Sequence, residues 1–524
     1  MFIRKYGILV ASVLLVIGGC IIGLLIRPLD RMFMWMLRIL LLYSICLCVC
    51  WMWGAWQKQQ FQKMEQFQCV ALTKKQKALL YIAVVSLILL CTIPMGLAPS
   101  WNGEIPGHRN QYEVMTESIL KGHLYMDYEV DPILSSLENP YDPQARQESG
   151  ASFQWDHAFY NQKYYMYFGI VPVFLTFIPY RLITGMPLVT YHATQLYAAL
   201  IILGIFTLFG LLIRLFFRNL SLGRYVALSS SFSVMSIWYS MATPALYCTA
   251  ITSAVCLIVW SLYFFVRAVW AEQSENRQIA CAFAGSCLGA LAFGCRPPIA
   301  LANLLVLPLL VAYLKRYKLS FRLFLKLCFA ATPYLIVAVL LMTYNYLRFD
   351  NPFEFGQSYQ LTVMDQSQYM QSVRTLDFSR IARSLISNFF AFHLPPSFGG
   401  VYCNFPMLLL GFGVFSRKVR GVLKNHHLHY FAYCLFLMPI LITIIDILWS
   451  PYLIERYRMD IYFIMGILCF LVVCSYGAKK TKNWYFFDIF TYGLPFITFV
   501  TSIIFFLVPN DGNLTYHIFE MLQR

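Results

Sequence analysis

The chain alternates long apolar runs with short basic loops, and two long polar segments interrupt this pattern. Because about 20 apolar residues let a helix cross the hydrocarbon core, each long run is a candidate transmembrane helix. The candidate spans are residues 6–26, 32–56, 78–97, 188–213, 225–242, 245–266, 278–295, 298–314, 323–345, 403–415, 429–449, 461–477 and 485–507. The pattern predicts an all-α polytopic membrane protein with about thirteen spans.

One apolar run does not fit this count. The run Tyr165–Thr184 carries Pro172 and Pro179, and Arg181 interrupts it near its end. Prolines inside a lipid-exposed helix remove backbone hydrogen bonds, so we interpret this run as re-entrant or interfacial. If it did cross the membrane, one of the basic loops would change sides.

The basic loops predict the orientation of the chain. Lys and Arg concentrate in loops that remain in the cytoplasm, so all five clusters should face inward. The clusters are Lys58 to Lys77, Arg214 to Arg224, Lys315 to Arg322, Arg417 to Lys424 and Lys479 to Lys482. This places the N-terminus in the cytoplasm, and residues 98–187, 346–400 and 450–460 outside the cell membrane. Arg4 and Lys5 precede an apolar run that continues through Ile26, which favours a retained signal anchor.

Composition narrows the class of protein further. The 524 residues are 59% hydrophobic and 12% charged, with a mean hydropathy of +0.62, which excludes a soluble fold. The net charge of +16 does not indicate a nucleic-acid partner, because the cations lie mainly in topology-setting loops. The 16 cysteines fall mostly in apolar runs, so neither a disulfide framework nor a zinc site is indicated. Arg38 is the main ionisable residue deep in a predicted span.

The first polar segment, Trp101–Lys163, carries most of the candidate chemistry. Gln111 to Met126 has a helical pattern with Glu113 and Glu117 on one stripe, and prolines and an aromatic cluster follow. The simpler interpretation is a loop anchored by its aromatic residues among lipid headgroups, but this gives less account of the interleaved acids. We divide the chain into two additional N-terminal helices with a basic loop (1–77), a core (78–475), and a C-terminal helix and tail (476–524).

Several short motifs follow one another along the chain in a definite order. They are Tyr112, Gly122-His123-Leu124-Tyr125, Pro140-Tyr141-Asp142-Pro143, Trp155-Asp156, Lys163-Tyr164-Tyr165-Met166-Tyr167-Phe168-Gly169, a glycine-rich helix ending in Arg296-Pro297, Tyr344-Asn345 with Arg348-Phe349, and Arg456-Tyr457 with Asp460. Over residues 78–475 this order resembles the GT-C superfamily of membrane glycosyltransferases, which includes protein mannosyltransferases and the lipid A aminoarabinose transferase. The resemblance implies a GT-C-like helix bundle whose large first outer loop carries short helices.

The resemblance also implies an activity and its partners. A sugar would move from a polyprenyl-phosphate carrier in the membrane lipid to a glycan, lipid or protein acceptor on the outer face. A carboxylate would take the acceptor proton, and cations would hold the departing phosphate. Relatives place the acid shortly before the position matched by Tyr112, where this chain has His108-Arg109-Asn110. That departure leaves two alternatives open. Another acid serves as the base, or the chain has lost the activity.

Three carboxylates are candidates for the base, in the order Asp156, Glu113 and Glu104. Asp156 lies in an aromatic cluster, where partial burial would bring its pKa into a useful range, whereas Asp142 lies between prolines and is expected to cap a turn. Arg296, Arg456 and Lys163 are the predicted phosphate ligands. The other predicted substrate-binding residues are Arg109 and Tyr457, and a divalent cation is the one cofactor left open.

Two other functions remain as alternatives. One is a lipid-linked glycan transporter or a cell-envelope assembly protein without transferase activity, and the other is an unrelated membrane sensor or channel. A transporter normally has inverted repeats and charged or helix-breaking residues near the midplanes of paired helices, and the sequence pattern shows neither.

Overall fold

The computed structural model describes residues 72–96, 111–244, 246–272, 274–368, 377–391, 399–450, 453–477 and 489–507. The predicted spans 6–26 and 32–56, together with Arg38, lie outside the described residues. Helices make up most of the described chain, and its one sheet has two strands.

The helices and strands follow in chain order. The first half contains α1 (Lys74–Thr92), α2 (Gln111–Leu120), α3 (Pro132–Ser136), α4 (Pro143–Ser149), β1 (Ala158–Tyr160), β2 (Lys163–Tyr165), a π-helix (Val173–Phe177) that continues into α5 (Ile178–Thr184), α6 (Thr190–Phe216), α7 (Leu222–Ala242) and α8 (Leu246–Val266). The second half contains α9 (Glu275–Phe293), α10 (Pro297–Ala300), α11 (Val306–Arg316), α12 (Phe321–Phe349), α13 (Phe378–Phe390), α14 (Val401–Asn404), a 3-10 helix (Pro406–Phe415), α15 (Arg417–Asn425), α16 (His429–Trp449), α17 (Met459–Gly477) and α18 (Leu494–Leu507).

Seven helical stretches of the described chain are long and apolar enough to cross a membrane, as expected for an all-α membrane protein. They are Lys74–Thr92, Thr190–Phe216, Leu246–Ala271, Pro297–Arg316, Phe321–Phe349, His429–Trp449 and Glu455–Gly477. The predicted count of about thirteen stays a prediction, since the spans 6–26 and 32–56 lie outside the described residues. Helices α7 and α9 have 21 and 19 residues at predicted positions, and neither is among these seven. Helix α7 contains several serines, which lower its mean hydropathy. The predicted span 403–415 is mainly a 3-10 helix of 10 residues, or about 20 Å, against a core of about 30 Å.

The bundle has a centre and a periphery. The stretches Leu246–Ala271 and Glu455–Gly477 are almost entirely buried, whereas Lys74–Thr92 and Phe321–Phe349 expose most of their apolar residues. Close packing at the centre depends on glycine, as the small-residue pattern of α9 predicts. A Cβ atom on Gly285 would lie 3.0 Å from the Phe265 ring, and one on Gly289 would lie 2.7 Å from the Tyr334 hydroxyl.

The two long polar segments form one unit at the end of the bundle where the cavity described below opens. We call it the outer unit, because the basic loops predict that it lies outside. Strands β1 and β2 pair antiparallel, with Asn161 and Gln162 at positive φ in the turn. A part of the second segment runs alongside β1, because Phe159 N donates to Tyr359 O and Leu361 N donates to His157 O, both at 2.9 Å. Residues 98–187 and 346–400, which the sequence pattern treats as separate insertions, therefore join where both are described.

Two local predictions can be compared with the structure directly. The helix predicted over Gln111 to Met126 ends at Leu120, because Gly122 takes a φ of +90° that turns the chain out of the helix. The apolar run Tyr165–Thr184 forms only a short helix, Val173–Thr184, of about 18 Å. Its end returns to the outer unit, since Arg181 Nε lies 2.7 Å from Glu117 Oε1. The re-entrant or interfacial placement of this run stays a prediction.

Candidate functional site

A cavity lies where the helix bundle meets the outer unit. It contains about 790 Å³ of empty space, including its open mouth. Its wall is apolar and aromatic apart from a few cationic and amide side chains. The lining includes Tyr167, Phe168, Tyr247, Phe293, Arg296, Leu341, Tyr344, Asn345, Arg348, Trp449, Arg456 and Tyr457. Such a combination is typical of a small-molecule site with a few orienting polar groups.

A glycine contact forms one wall of the cavity. Val171 N donates to Gly294 O at 2.9 Å, and a Cβ atom on Gly169 would lie only 2.2 Å from that same oxygen. The motif ending in Gly169 therefore crosses the end of α9 with its backbone in direct contact. This contact brings Tyr167 and Arg296 to the same cavity.

Arg296 is engaged by two buried carboxylates. Its Nε donates to Asp460 Oδ2 at 2.7 Å, and its Nη2 lies 3.9 Å from Asp446 Oδ1. Both aspartates are at least 98% buried. A charge removed from water is stabilised only by close partners, so the three side chains form a buried ionic cluster. The cluster joins the start of α10 to α16 and α17.

Arg456 lies beside this cluster but has no carboxylate within ion-pair distance in the described part of the chain. Its guanidinium carbon lies 3.8 Å from the centroid of the Tyr247 ring and 5.7 Å from that of Tyr457. An arginine stacked on tyrosine keeps its N–H donors available in the plane of the fork. Arg456 is therefore the cavity cation best placed to bind an anion.

Arg348 is a second cavity arginine that contacts only neutral groups among the described residues. It is 96% buried, and its two terminal nitrogens donate to Met166 O at 2.6 Å and Asn345 Oδ1 at 2.8 Å. The Tyr344 ring centroid lies 3.8 Å from its guanidinium carbon. A buried charge with only neutral acceptors favours a site that an anionic ligand completes.

Asp156 does not line the cavity itself but contacts Tyr247, which does. Its Oδ2 accepts a hydrogen bond from the Tyr247 hydroxyl, and its Oδ1 accepts one from Gln360 Nε2 at 2.8 Å. Its φ of 58° is unusual for a residue other than glycine and turns the carboxylate toward α8. Asp156, Tyr247 and Arg456 thus form a continuous row.

Tyr167 adds a hydroxyl to this row. Burial, followed by the nearby Asp156 carboxylate, raises the pKa of Tyr167 well above its usual value. The phenol therefore stays protonated at neutral pH and keeps its ability to donate a hydrogen bond to a ligand in the cavity.

The other predicted site residues lie elsewhere or outside the description. Lys163 is exposed on β2, with its Nζ 4.3 Å from the Tyr125 ring centroid, and Glu113 lies half-buried on α2. Glu104 and Arg109 fall outside the described residues. Asp142 caps α4, as predicted, because its side chain accepts from Gln144 N at 2.9 Å.

Sequence reasoning missed several of the residues that build this site, and Arg348 and Tyr167 entered it only as members of motifs. Asp446 is a lone acid inside an apolar span, and an intramembrane acid by default indicates a partner or a function, so it offered a clear signal. Asp460 was noticed only as part of a motif. Tyr247 and Gln360 carry no local signal, because their importance comes from meeting Asp156 in the fold.

The described residues contain no group of three or more His, Cys, Asp or Glu side chains able to hold a metal ion. Asp446 and Asp460 both lie within ion-pair distance of Arg296, which already occupies the space between them.

No protein-family model, curated protein or solved structure matches this chain. The likeness to the GT-C superfamily therefore rests on the order and spacing of the motifs.

Proposed function

We propose that this chain is a membrane glycosyltransferase that moves a sugar from a polyprenyl-phosphate carrier to an acceptor on the extracytoplasmic face. One observation carries the proposal. A cavity at one end of an apolar helix bundle is lined by Arg348 and Arg456, which have no carboxylate within ion-pair distance in the described parts of the chain, and the Asp156 carboxylate lies nearby. The order of the sequence motifs supports the same activity.

The two arginines give the cavity its affinity for a phosphate. Arg456 and Arg348 both line it and have no carboxylate within ion-pair distance among the described residues. Charge-assisted hydrogen bonds from guanidinium to phosphate are among the strongest in proteins, and they would stabilise the charge that develops as the phosphate departs. The predicted set changes accordingly. Arg456 stays, Arg348 replaces Lys163, and Arg296 positions its neighbours because its charge is already matched.

Asp156 supplies the base through Tyr247. The acceptor hydroxyl attacks the anomeric carbon, the bond from that carbon to the phosphate oxygen breaks, and the phosphate leaves with the bonding electrons. The acceptor proton passes to the Tyr247 oxygen as the tyrosine proton moves to Asp156 Oδ2. The apolar wall excludes water, which would otherwise compete with the acceptor.

Binding of polyprenyl phosphate tests the phosphate site without knowledge of the sugar. The full chain in lipid nanodiscs should bind polyprenyl phosphate, and Arg456→Gln should weaken binding by about 10- to 100-fold, the loss expected for hydrogen bonds to a charged group. Arg383→Gln is the matched control, because Arg383 is exposed on α13 and contacts Ser379. Equal affinity in the two variants, or an equal Arg456→Gln effect on uncharged polyprenol, would remove the phosphate site.

Tyr247→Phe separates binding from proton transfer. Phenylalanine keeps the ring under Arg456 and removes the hydroxyl that contacts Asp156. We expect polyprenyl phosphate binding to stay near the wild-type value while sugar transfer falls at least tenfold. Transfer at the wild-type rate would show that the proton does not pass through Tyr247.

A further inference from the structure

The far end of the bundle carries a dense basic surface that the proposed reaction does not use. Helix α16 ends at Trp449, which lines the cavity, and begins at His429, about 30 Å away. The end of α11, the start of α12 and all of α15 meet at this opposite end. Their exposed cations are Lys315, Arg316, Lys318, Arg322, Arg417, Arg420 and Lys424. We call this set the distal basic surface.

Among the described residues, few acids lie near the distal basic surface. Residues 306–349 and 401–445 contain no Asp or Glu at all. The acids of the neighbouring loop are already engaged, since Glu272 pairs with Arg267 at 2.6 Å and Glu275 with Lys326 at 2.8 Å. Lys315 instead lies over the Tyr430 ring, with its Nζ 4.7 Å from the centroid. The surface therefore keeps a net positive charge.

The fold brings these cations together by burying the apolar side of α15. Val419, Val422 and Leu423 pack against the bundle, so the helix directs Arg420 and Lys424 outward. The chain then turns at His427, whose φ of 59° is left-handed, and enters α16. This turn places His429 within electrostatic range of both Lys315 and Lys424. Cations more than 100 positions apart in sequence thus share one site.

Exposed apolar side chains border the same surface. Phe415 precedes α15, Tyr430 follows it, and Leu319 and Phe321 flank the loop between α11 and α12, each at least 48% exposed. Apolar surface beside aromatic and cationic side chains marks the level of lipid headgroups. An anion bound here would have to lie at the edge of the membrane.

We propose that the distal basic surface binds the headgroup of an anionic phospholipid, centred on Lys315 and Lys424. The cations contact the headgroup phosphate, and the bordering apolar side chains contact the acyl chains. A soluble polyanion would gain nothing from these exposed apolar residues, whereas a phospholipid contacts both parts of the surface. The inference does not depend on the proposed transferase activity.

Lipid titration of the purified full chain tests this site. Detergent-solubilised protein is titrated with phosphatidylglycerol or phosphatidylcholine, and native mass spectrometry counts the lipids bound. The test variant is Lys315→Gln/Lys424→Gln. The control is Lys75→Gln/Lys77→Gln, which removes the same charge from exposed positions at the start of α1.

We expect the wild type to prefer phosphatidylglycerol and the test variant to lose about fivefold in affinity per lysine removed, while the control stays near the wild-type value. Equal losses in both variants would reduce the distal basic surface to a determinant of topology and overturn the proposal. So would equal binding of the two lipids, or competition by inorganic phosphate as strong as that by phosphatidylglycerol. A melting temperature measured in the same detergent identifies any variant that has failed to fold.

Discussion

Arg296 Nε donates a hydrogen bond of 2.7 Å to Asp460 Oδ2, although 164 residues separate the two in sequence. The bond joins the end of the glycine-rich helix to the start of α17. The guanidinium carbon of Arg296 also lies 5.0 Å from the centroid of the Tyr457 ring. The two segments that carry Arg296 and Tyr457 to the cavity wall are therefore held together by this hydrogen bond.

Breaking this contact should destabilise the protein strongly. Arg296→Met leaves Asp460 and Asp446 buried without their cation, and the removal of one partner of a buried pair typically costs about 3–5 kcal/mol. The melting temperature and the fraction of folded protein after extraction measure the loss. The triple variant Arg296→Met/Asp446→Asn/Asp460→Leu removes the charges together and should recover part of it. A single variant with the wild-type melting temperature would contradict the ionic cluster.

The backbone of Gly169 lies against that of Gly294, so we expect that position 169 cannot accept a side chain without a loss of stability. Alanine at position 169 would place its Cβ 2.2 Å from the Gly294 oxygen, so Gly169→Ala must displace backbone and should cost at least about 1–3 kcal/mol. Gly421→Ala on α15 is the matched control. A Cβ atom there meets nothing within 4 Å, and alanine favours a helix, so stability should stay equal or rise slightly. Equal melting temperatures for the two variants would argue against the backbone contact.

Cysteine labelling with a membrane-impermeant reagent tests the orientation in intact cells. The basic loops predict that Gln144 lies outside and Lys75 inside, and both side chains are exposed. In a background without native cysteines, Gln144→Cys should react in intact cells and Lys75→Cys only after permeabilisation. The reverse pattern would invert the topology and place the cavity on the cytoplasmic side.

The sequence predicted what depends on local pattern. Apolar runs predicted most of the described long helices, and the Asp142-Pro143 pair predicted a cap that the structure contains. Arg296, Arg456 and Tyr457 were selected as site residues, and all three line one cavity.

The other features of the site depend on contacts between segments that are distant in sequence. The periodicity of apolar residues does not predict such contacts. The prediction that Lys163 converges with Arg296 and Arg456 on a phosphate requires a contact between distant segments. Lys163 instead lies exposed on the hairpin, beside the Tyr125 ring. Gln360 reaches Asp156 only because the second polar segment runs alongside β1.

Sugar transfer by Asp156→Asn is the most direct test of the account. Asparagine keeps the size of the side chain and removes the charge, so the variant should insert normally and bind polyprenyl phosphate. Transfer from a panel of polyprenyl-phosphate-linked sugars should fall by about 10²- to 10⁴-fold, the usual contribution of a general base. Asp142→Asn, which preserves the cap of α4 and changes no residue of the cavity lining, should transfer at the wild-type rate. Well-folded Asp156→Asn protein with near-normal transfer would contradict the assignment of Asp156 as the base.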